Sequence, residues 1–352
     1  MKPRKKTKEI NVGGLKIGND NPISIQSMTN VDTKNIPLII KQINTLKNEG
    51  CEIVRLAILD QESAKTISEV KKKVKIPIVA DIHFDYKLAI YSIENGADKI
   101  RINPGNIGKK SNIEKIIKTA KKYNIPIRIG INSGSLDKNI LKKHGKTTPE
   151  GLFESAIQNI EILESFNFYD ICISIKSSSV PICIKAYTLL SKACDYPLHV
   201  GITESGTINS GSIKSAIGIG SILSKGIGDT IRVSLTGDPI YEIKCAKEIL
   251  KSLELRKFGI EIISCPTCGR TKIDIISISN EIEKRCKNIK KNIKVAIMGC
   301  AVNGPGEAKE ADIGIAGGNG YGVIFKKGVI FKKVSEEHLV DELMKEIEKN
   351  NS

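Results

Sequence analysis

Three cysteines in the last third of the chain have a spacing that can hold a metal group. Cys265 and Cys268 form a C-x-x-C turn after a short apolar stretch, and Cys300 follows a second such stretch. A C-x-x-C alone fits zinc, thiol–disulfide chemistry or an iron–sulfur site. A structural zinc site needs four Cys or His ligands, and only His338, in an expected helix, follows Cys300. Three thiolates with one weaker ligand therefore favour a [4Fe–4S] cluster that keeps one iron open to substrate.

The residues alone do not identify the fourth ligand of such a cluster. Glu307 ends the glycine-rich loop after Cys300, where it could be an exchangeable ligand or an ordinary surface carboxylate. Glycine and proline beside the three cysteines let the backbone wrap a cluster and direct N–H groups at its sulfurs. The remaining six cysteines lack such settings, and we expect them to be buried small hydrophobes. They are Cys51, Cys172, Cys183, Cys194, Cys245 and Cys286.

A second group of reactive side chains lies before residue 240. Five cations each stand in, or at the end of, a different predicted strand: Arg55, Arg101, Arg128, Lys176 and Arg232. If the strands close into a barrel, these cations meet around one cavity and require an anion. Arginine pairs phosphate oxygens through two parallel hydrogen bonds and lysine adds a point charge, so a phosphate or diphosphate is the predicted ligand. The glycine-bearing loop at residues 103–108 adds a weak signal for phosphate.

Uncharged and titratable side chains share the predicted polar face of these strands. The acid–base candidates are Asp81, His83, His199 and Glu204, although a lone core histidine is more often hydrogen-bonded scaffolding. Further pocket residues are expected at Asn103, Asn132, Thr203 and Ser234. His144 is expected in an exposed loop without a role in the site.

The elements that must position these groups follow a regular rhythm. Eight short apolar runs, near residues 23, 53, 78, 99, 127, 171, 198 and 231, alternate with segments of helical length. The predicted helices are 36–48, 61–74, 86–94, 113–123, 149–166, 181–193, 212–225 and 239–253. Eight such units indicate an α/β fold, a (β/α)8 TIM barrel, with its site at the carboxyl ends of the strands.

Two other sheet arrangements deserve comparison with the barrel. A doubly wound open sheet would have strands that are apolar on both faces, whereas several strands here alternate apolar and polar residues. An antiparallel sheet with one wet face gives such alternation too, but the helical intervals disfavour it. We predict a barrel over residues 1–256 and a small α+β cluster domain over 257–352.

Bulk properties narrow the classes of function. The 352 residues carry a formal charge of +16, yet most lysines lie in helix-like stretches and only 4% of residues are aromatic, which disfavours nucleic-acid binding. The basic N-terminus lacks the apolar run of a secretory signal, and no window approaches a membrane span. Nine scattered cysteines argue against a disulfide framework. We expect a cytoplasmic protein that binds neither nucleic acid nor membrane.

The chain resembles the IspG (GcpE) family, the 4-hydroxy-3-methylbut-2-enyl diphosphate synthases of the non-mevalonate isoprenoid pathway, over nearly its whole length. The resemblance rests on residues 27–30, 51–57, 80–84, 99–108, 226–236, 264–271 and 298–307. The last two segments together are highly specific. Ser205 is a small departure, because the family more often has Ala there.

The resemblance implies a reaction and its residues. The substrate would be 2-C-methyl-D-erythritol 2,4-cyclodiphosphate, opened reductively with loss of water and uptake of two electrons. Cys265, Cys268, Cys300 and Glu307 would hold the cluster, the barrel cations would bind the diphosphate, and Glu204 would donate a proton. Reduced flavodoxin or ferredoxin would supply the electrons. The spacing resembles the two-domain bacterial form, which implies a homodimer in which each cluster domain caps the partner's barrel.

Two rival functions stay open at this stage. A pterin-dependent methyltransferase-like barrel shares the anion-binding cavity but leaves the three-cysteine module unexplained. A zinc- or cluster-bearing nucleic-acid-binding protein is favoured by net charge alone.

Overall fold

The computed structural model describes residues 1–287, 289–301 and 304–349 and divides into two compact units. The first unit spans Met1–Arg256 and the second Lys257–Ser352. In the described part of the chain, no helix is long and apolar enough to cross a membrane.

The first unit is a parallel eight-stranded barrel preceded by a small antiparallel hairpin. The hairpin pairs β1 (Ile10–Val12) with β2 (Leu15–Ile17). The barrel strands are β3 (Ser24–Met28), β4 (Ile53–Ala57), β5 (Ile78–Asp81), β6 (Lys99–Ile102), β7 (Ile127–Asn132), β8 (Ile171–Lys176), β9 (His199–Val200) and β10 (Thr230–Ile231). They pair in the order β8-β7-β6-β5-β4-β3-β10-β9, and a parallel bridge between Ile173 and Leu198 joins the two ends. The predicted TIM barrel is confirmed.

Helices fill the intervals between these strands. They are α1 (Ile36–Asn48), α2 (Gln61–Lys73), α3 (Tyr86–Glu94), α4 (Lys110–Tyr123), α5 (Lys138–His144), α6 (Pro149–Glu164), α7 (Val180–Ala193), α8 (Ile208–Leu223) and α9 (Pro239–Ser252). Local chemistry begins several of them: Asp60 and Ser63 form a capping box at α2, and Thr148 caps α6 directly before Pro149. Short 3-10 turns at 104–106 and 133–135 follow β6 and β7.

Helix α5 corrects the expectation for His144. This histidine is the last residue of the helix rather than part of an exposed loop, and its Nε2 lies 2.9 Å from Glu154 Oε2. The segment forms a helix because Asp137 accepts hydrogen bonds from the N–H groups of Asn139 and Ile140, and Gly145 ends it in a left-handed conformation.

The hairpin closes one mouth of the barrel. Ile10, Val12 and Ile17 pack in one buried cluster with Ile53, Val79 and Cys172, which belong to three barrel strands. Each of those strand residues lies two positions before a cavity residue of the same strand, so it points into the barrel near its amino-terminal end. The hairpin therefore packs apolar side chains against this end of the barrel interior, while the cavity residues lie at the carboxyl end.

The second unit is a mixed five-stranded sheet with two principal helices. Its strands are β11 (Glu261–Ser264), β12 (Lys294–Met298), β13 (Ile313–Gly317), β14 (Tyr321–Lys326) and β15 (Val329–Ser335), paired in that order. The helices are α10 (Ile275–Cys286), the short α11 (Gly304–Glu307) and α12 (Leu339–Lys349). Strands β11 to β13 run parallel, whereas β14 and β15 form an antiparallel hairpin. His338 lies in a 3-10 turn just before α12.

Candidate functional site

A cavity of about 240 Å³ opens at the carboxyl ends of the barrel strands. It is lined by Met28, Arg55, Asp81, His83, Arg101, Arg128, Asn132, Ser174, Lys176, Thr203, Arg232 and Ser234. Ten of these twelve residues are candidates from the sequence, and all eight barrel strands or the loops after them contribute to the lining. Five cations thus face one cavity whose lining holds a single carboxylate, which leaves a strong positive potential for an anion.

Asp81 is the anionic centre of this lining. Its carboxylate lies 3.2 Å from Arg101 Nη1, 3.5 Å from Arg55 Nε and 3.6 Å from His83 Nε2. Burial alone would raise the pKa of Asp81, but Arg55, the His83 hydrogen bond and Arg101 outweigh burial and lower the pKa. Asp81 therefore stays ionised and orients the two arginines.

Arg128 lies in the wall without an anionic hydrogen-bond partner. It is fully buried, and its Nε and Nη1 have no partner in the part of the chain that the structure describes. Burial and the neighbouring charge of Arg101 lower the pKa of Arg128 to about 10. A guanidinium that is buried without a partner is costly, so this site is prepared for an anion that arrives from outside.

Lys176 and Arg232 complete the cationic wall. Burial followed by repulsion from Arg232 lowers the pKa of Lys176 well below its ordinary range. Arg232 Nη2 lies 3.2 Å from Glu242 Oε1, while its Nε has no partner among the described residues. A bound phosphate would restore favourable interactions for both groups.

Two glycines create the space for these long side chains. A Cβ at Gly130 would lie 2.1 Å from Arg101 Nε, and a Cβ at Gly201 would lie 2.8 Å from Lys176 Nζ. Both distances are far inside van der Waals contact. Glycine at these inward positions therefore lets Arg101 and Lys176 cross the strands toward the cavity.

Three predicted residues lie outside the lining. Asn103 is buried and caps the 3-10 turn after β6 by accepting a hydrogen bond from Gly105 N–H. His199 is fully buried, with Nδ1 3.4 Å from Thr230 Oγ1, and burial lowers its pKa well below the ordinary range. Glu204 is exposed and has a left-handed φ of 52°. Their roles stay predictions.

Two lining residues, Met28 and Ser174, are not among the predicted site residues. Met28 Sδ lies 2.9 Å from Arg55 Nη2, and Ser174 Oγ donates to Ile129 O at 3.4 Å. Ser174 shares the inward parity of Lys176 and could be found from strand alternation. Methionine at a strand end carries no comparable signal, because it is an ordinary core residue.

Beneath the cavity lies another buried lysine. Lys99 is fully buried, and its Nζ has no partner in the described residues. Burial lowers the pKa of Lys99 to about 8, and the nearby Arg128 lowers it further, while Cys172 opposes the change. Positive charge therefore continues below the floor of the cavity.

The three predicted cluster cysteines lie at one edge of the second unit. Cys265 directly follows β11 and Cys300 follows the adjacent parallel strand β12, whose residues Ser264 and Ile297 are paired. Gly299 N–H lies 3.1 Å from Cys265 Sγ, in the geometry of an N–H···S hydrogen bond. A hydrogen bond from Arg270 N–H lowers the pKa of Cys268. This donor set suits a thiolate-bound metal group.

The described residues do not form a closed metal site. No three His, Cys, Asp or Glu side chains among them are grouped closely enough to bind a metal ion. Glu307 is exposed at the end of α11, and residues 302 and 303 of the preceding loop lie outside the described residues. The fit to a cluster thus rests on the chemistry and shared edge of the three thiols.

Burial separates these cysteines from the other six. Cys51, Cys172, Cys183 and Cys286 are buried, as expected for structural thiols. Cys194 and Cys245 are only half-buried, which corrects the expectation that all six are buried. Cys268, by contrast, is exposed.

Fold and site together define a class: a TIM-barrel protein with an anion-binding cavity and an appended cysteine-bearing module. Family profiles agree with both parts, because the GcpE TIM-barrel domain matches residues 7–247 and the GcpE protein C-terminal domain matches residues 261–349. The chain belongs to the GcpE family.

Curated relatives match along nearly the entire chain. A protein of Caldanaerobacter subterraneus subsp. tengcongensis is 62% identical over 99% of this chain and 98% of its own length. A protein of Clostridium perfringens is 59% identical over 98% of this chain and 99% of its own. Both are called 4-hydroxy-3-methylbut-2-en-1-yl diphosphate synthase (flavodoxin).

Two solved structures resemble about seven-tenths of this chain. Dihydropteroate synthase from Stenotrophomonas maltophilia superposes with a TM-score of 0.52 at 12% identity, over 70% of this chain and 98% of that one. The enzyme from Yersinia pestis bound to a sulfonamide drug gives a TM-score of 0.51 at 11% identity, over 71% of this chain and 100% of that one. These likenesses support the fold.

Proposed function

We propose that this chain makes 4-hydroxy-3-methylbut-2-enyl diphosphate from 2-C-methyl-D-erythritol 2,4-cyclodiphosphate. One C–O bond of the ring opens, one hydroxyl leaves as water, and two electrons and two protons enter. The observation that carries the proposal is the cavity in which Arg55, Arg101, Arg128, Lys176 and Arg232 face the lone lining carboxylate. The relatives' shared name supports the same reaction.

The barrel residues bind and orient the diphosphate. Arg128 and Arg232 carry nitrogens without protein partners among the described residues, so these N–H groups are free to donate to phosphate oxygens. Asp81 fixes Arg55 and Arg101 before substrate arrives, which lowers the entropy that binding must overcome. The polar cavity thereby holds the two negative charges of the cyclic diphosphate in one orientation.

The three cysteines at the edge of the second unit would hold the group that delivers the electrons. Cys265, Cys268 and Cys300 would hold a [4Fe–4S] cluster, with Glu307 as its exchangeable fourth ligand. When bound, that group supplies electrons one at a time at a low potential. The N–H group of Gly299 would stabilise the thiolate of Cys265.

Other features of the proposal follow from family likeness. Glu204 is proposed as a proton donor, although its side chain is exposed outside the cavity lining. We further propose a cytoplasmic homodimer with reduced flavodoxin as electron donor, a choice over ferredoxin that rests on the relatives' names.

The test begins with anaerobic purification and counts of iron and sulfide. About four irons per chain are expected, with an electron paramagnetic resonance signal that changes when the cyclic diphosphate is added to the reduced protein. Cys300→Ser should lose iron, whereas Cys286→Ser, a buried thiol in α10, should retain it. Stoichiometric zinc without a cluster after anaerobic reconstitution would contradict the proposal.

A further inference from the structure

The β14–β15 hairpin presents apolar side chains to solvent at a free sheet edge. Strand β15 is the last strand of the five-stranded sheet, and Val329, Ile330 and Phe331 are 70%, 49% and 45% exposed. An irregularity in the β14–β15 register leaves Phe331 without a cross-strand partner in the ladder. Three consecutive exposed apolar residues on an edge strand mark an interaction site rather than an ordinary solvated edge.

Lysines surround these apolar residues. Lys309, Lys327 and Lys333 are exposed, and no carboxylate in the described part of the chain pairs with their amino groups. Lys333 lies over the ring of Tyr321, with Nζ 3.7 Å from the ring centroid. We call Lys309, Lys327, Val329, Ile330, Phe331 and Lys333 the hairpin patch.

Other charged residues near the hairpin patch do not cancel its positive charge. Lys326 and Lys332 of the same hairpin pair with Glu346 and Glu342, and so contribute little net charge. Glu307, Glu310 and Asp312 are exposed carboxylates of the neighbouring segment; the proposed function assigns Glu307 to the metal, and Asp312 accepts a hydrogen bond from Lys294 N–H. The hairpin patch therefore combines an apolar centre with a positive rim, the arrangement of a docking surface for an acidic protein.

The turn of the hairpin touches the segment that carries Glu307. A Cβ at Gly328 would lie 2.9 Å from Lys309 Cβ and 3.2 Å from Pro305 O, so the turn packs against residues on either side of Glu307. Lys327 N–H also donates to Ala311 O at 3.2 Å. A protein that binds the hairpin patch would consequently sit beside the proposed cluster ligand, where an electron has a short path.

We propose that the hairpin patch is the docking surface for the electron donor, a small acidic flavodoxin. This inference rests on the proposed function, because the reaction requires two electrons from a carrier. An acidic surface on the carrier would complement the three exposed lysines of the rim. A second copy of this chain carries the same charge of +16 and is the less favourable occupant.

The test measures flavodoxin binding directly with the full-length holoprotein. Lys327→Glu combined with Lys333→Glu should weaken the Kd for flavodoxin about tenfold or more and flatten its dependence on salt. Lys284→Glu with Lys287→Glu makes the same charge change on exposed residues outside the patch and should have little effect. A separate variant, Val329→Ser with Phe331→Ser, tests the apolar centre without any change of charge.

Turnover with two reductants separates this inference from the proposed function. With flavodoxin, the Lys327→Glu/Lys333→Glu variant should show a raised KM, while reduced methyl viologen should drive it as fast as the wild type. A flavodoxin Kd equal to that of the control variant overturns the inference. Loss of dimer and of turnover with both reductants overturns it too, because the patch would then face a second copy. Flavodoxin binding without any turnover in the wild type would contradict the proposed function alone.

Discussion

Replacement of Arg128 by methionine should stabilise the empty protein while it weakens diphosphate binding. Arg128 is fully buried, and burial followed by repulsion from Arg101 lowers its pKa from its ordinary, strongly basic value to about 10. That decrease corresponds to a cost of about 3 kcal/mol for keeping the guanidinium charged in the folded state. Methionine keeps much of the apolar stem and removes the charge, so we expect the free energy of unfolding to rise by about 1 to 3 kcal/mol.

Binding should change in the opposite direction. The free N–H groups of Arg128 can make charge-assisted hydrogen bonds with phosphate, and their loss should cost about 3 kcal/mol, or about a hundredfold in Kd. Urea unfolding of the substrate-free protein, monitored by the circular dichroism of its tyrosines, measures the free energy of unfolding. Seven of the eight tyrosines lie in the barrel unit, so this signal reports chiefly on the barrel. Isothermal titration with the cyclic diphosphate measures the Kd.

Arg101→Met is the matched control. Arg101 lies in the same wall but is paired with Asp81 and donates to Gly130 O at 3.1 Å, so its removal should destabilise the empty protein. If Arg128→Met destabilises the empty protein as much as Arg101→Met does, the conclusion that Arg128 lacks an anionic partner is wrong. Unchanged affinity in Arg128→Met would refute its assignment to the diphosphate site.

Three further predictions concern the same interior. Gly130→Ala should displace Arg101, because a Cβ at this position would lie 2.1 Å from Arg101 Nε, and should weaken diphosphate binding about tenfold. Titration calorimetry measures this loss of affinity. The control variant Gly134→Ala, which has open space around the new Cβ, should bind the diphosphate normally. Lys99→Met should raise the free energy of unfolding most below pH 8, by up to about 3 kcal/mol, since its pKa is about 8 when folded and ordinarily 10.5. That gain should shrink between those two pH values, where only the unfolded lysine keeps its proton, and urea midpoints across the interval measure it. Asp81→Asn should destabilise the protein at neutral pH and remove an acid-dependent loss of stability. The lowered pKa of Asp81 means that its contribution is present above the unfolded pKa of about 3.9 and is lost as pH falls through the folded value, which unfolding at pH 3 and pH 7 would show.

The alternation of apolar and polar residues along the strands predicted most of the cavity residues. Arg128 and Lys176 stand at alternate positions of β7 and β8, and the period of two fixes them on the inner face once helices cover the outer one. The same rule fails where a strand ends. Glu204 follows β9 by four residues, and its left-handed backbone turns it to solvent in a direction that no periodicity encodes.

Hairpin β1–β2 and helix α5 could not be predicted from the sequence because they are too short to show a clear hydrophobic period. Hairpin β1–β2 has strands of three residues each, too short to display a period, and its apolar residues gain meaning only from the barrel end that they cover. Helix α5 has seven residues rich in lysine and lacks a clear apolar stripe. The cysteine edge was foreseeable because thiol spacing and adjacent glycines are local features, whereas the contact of Gly328 with Pro305 joins distant parts of the sequence.

The hairpin at the amino-terminal mouth also determines where ligands enter and leave the barrel. Ile10, Val12 and Ile17 seal that end against Ile53 and its neighbours, so the cavity is a blind well. Substrate must enter and product must leave through the same opening, and both carry a diphosphate for the same cations. A retained product molecule therefore blocks the next substrate, so the cations that favour capture also slow release.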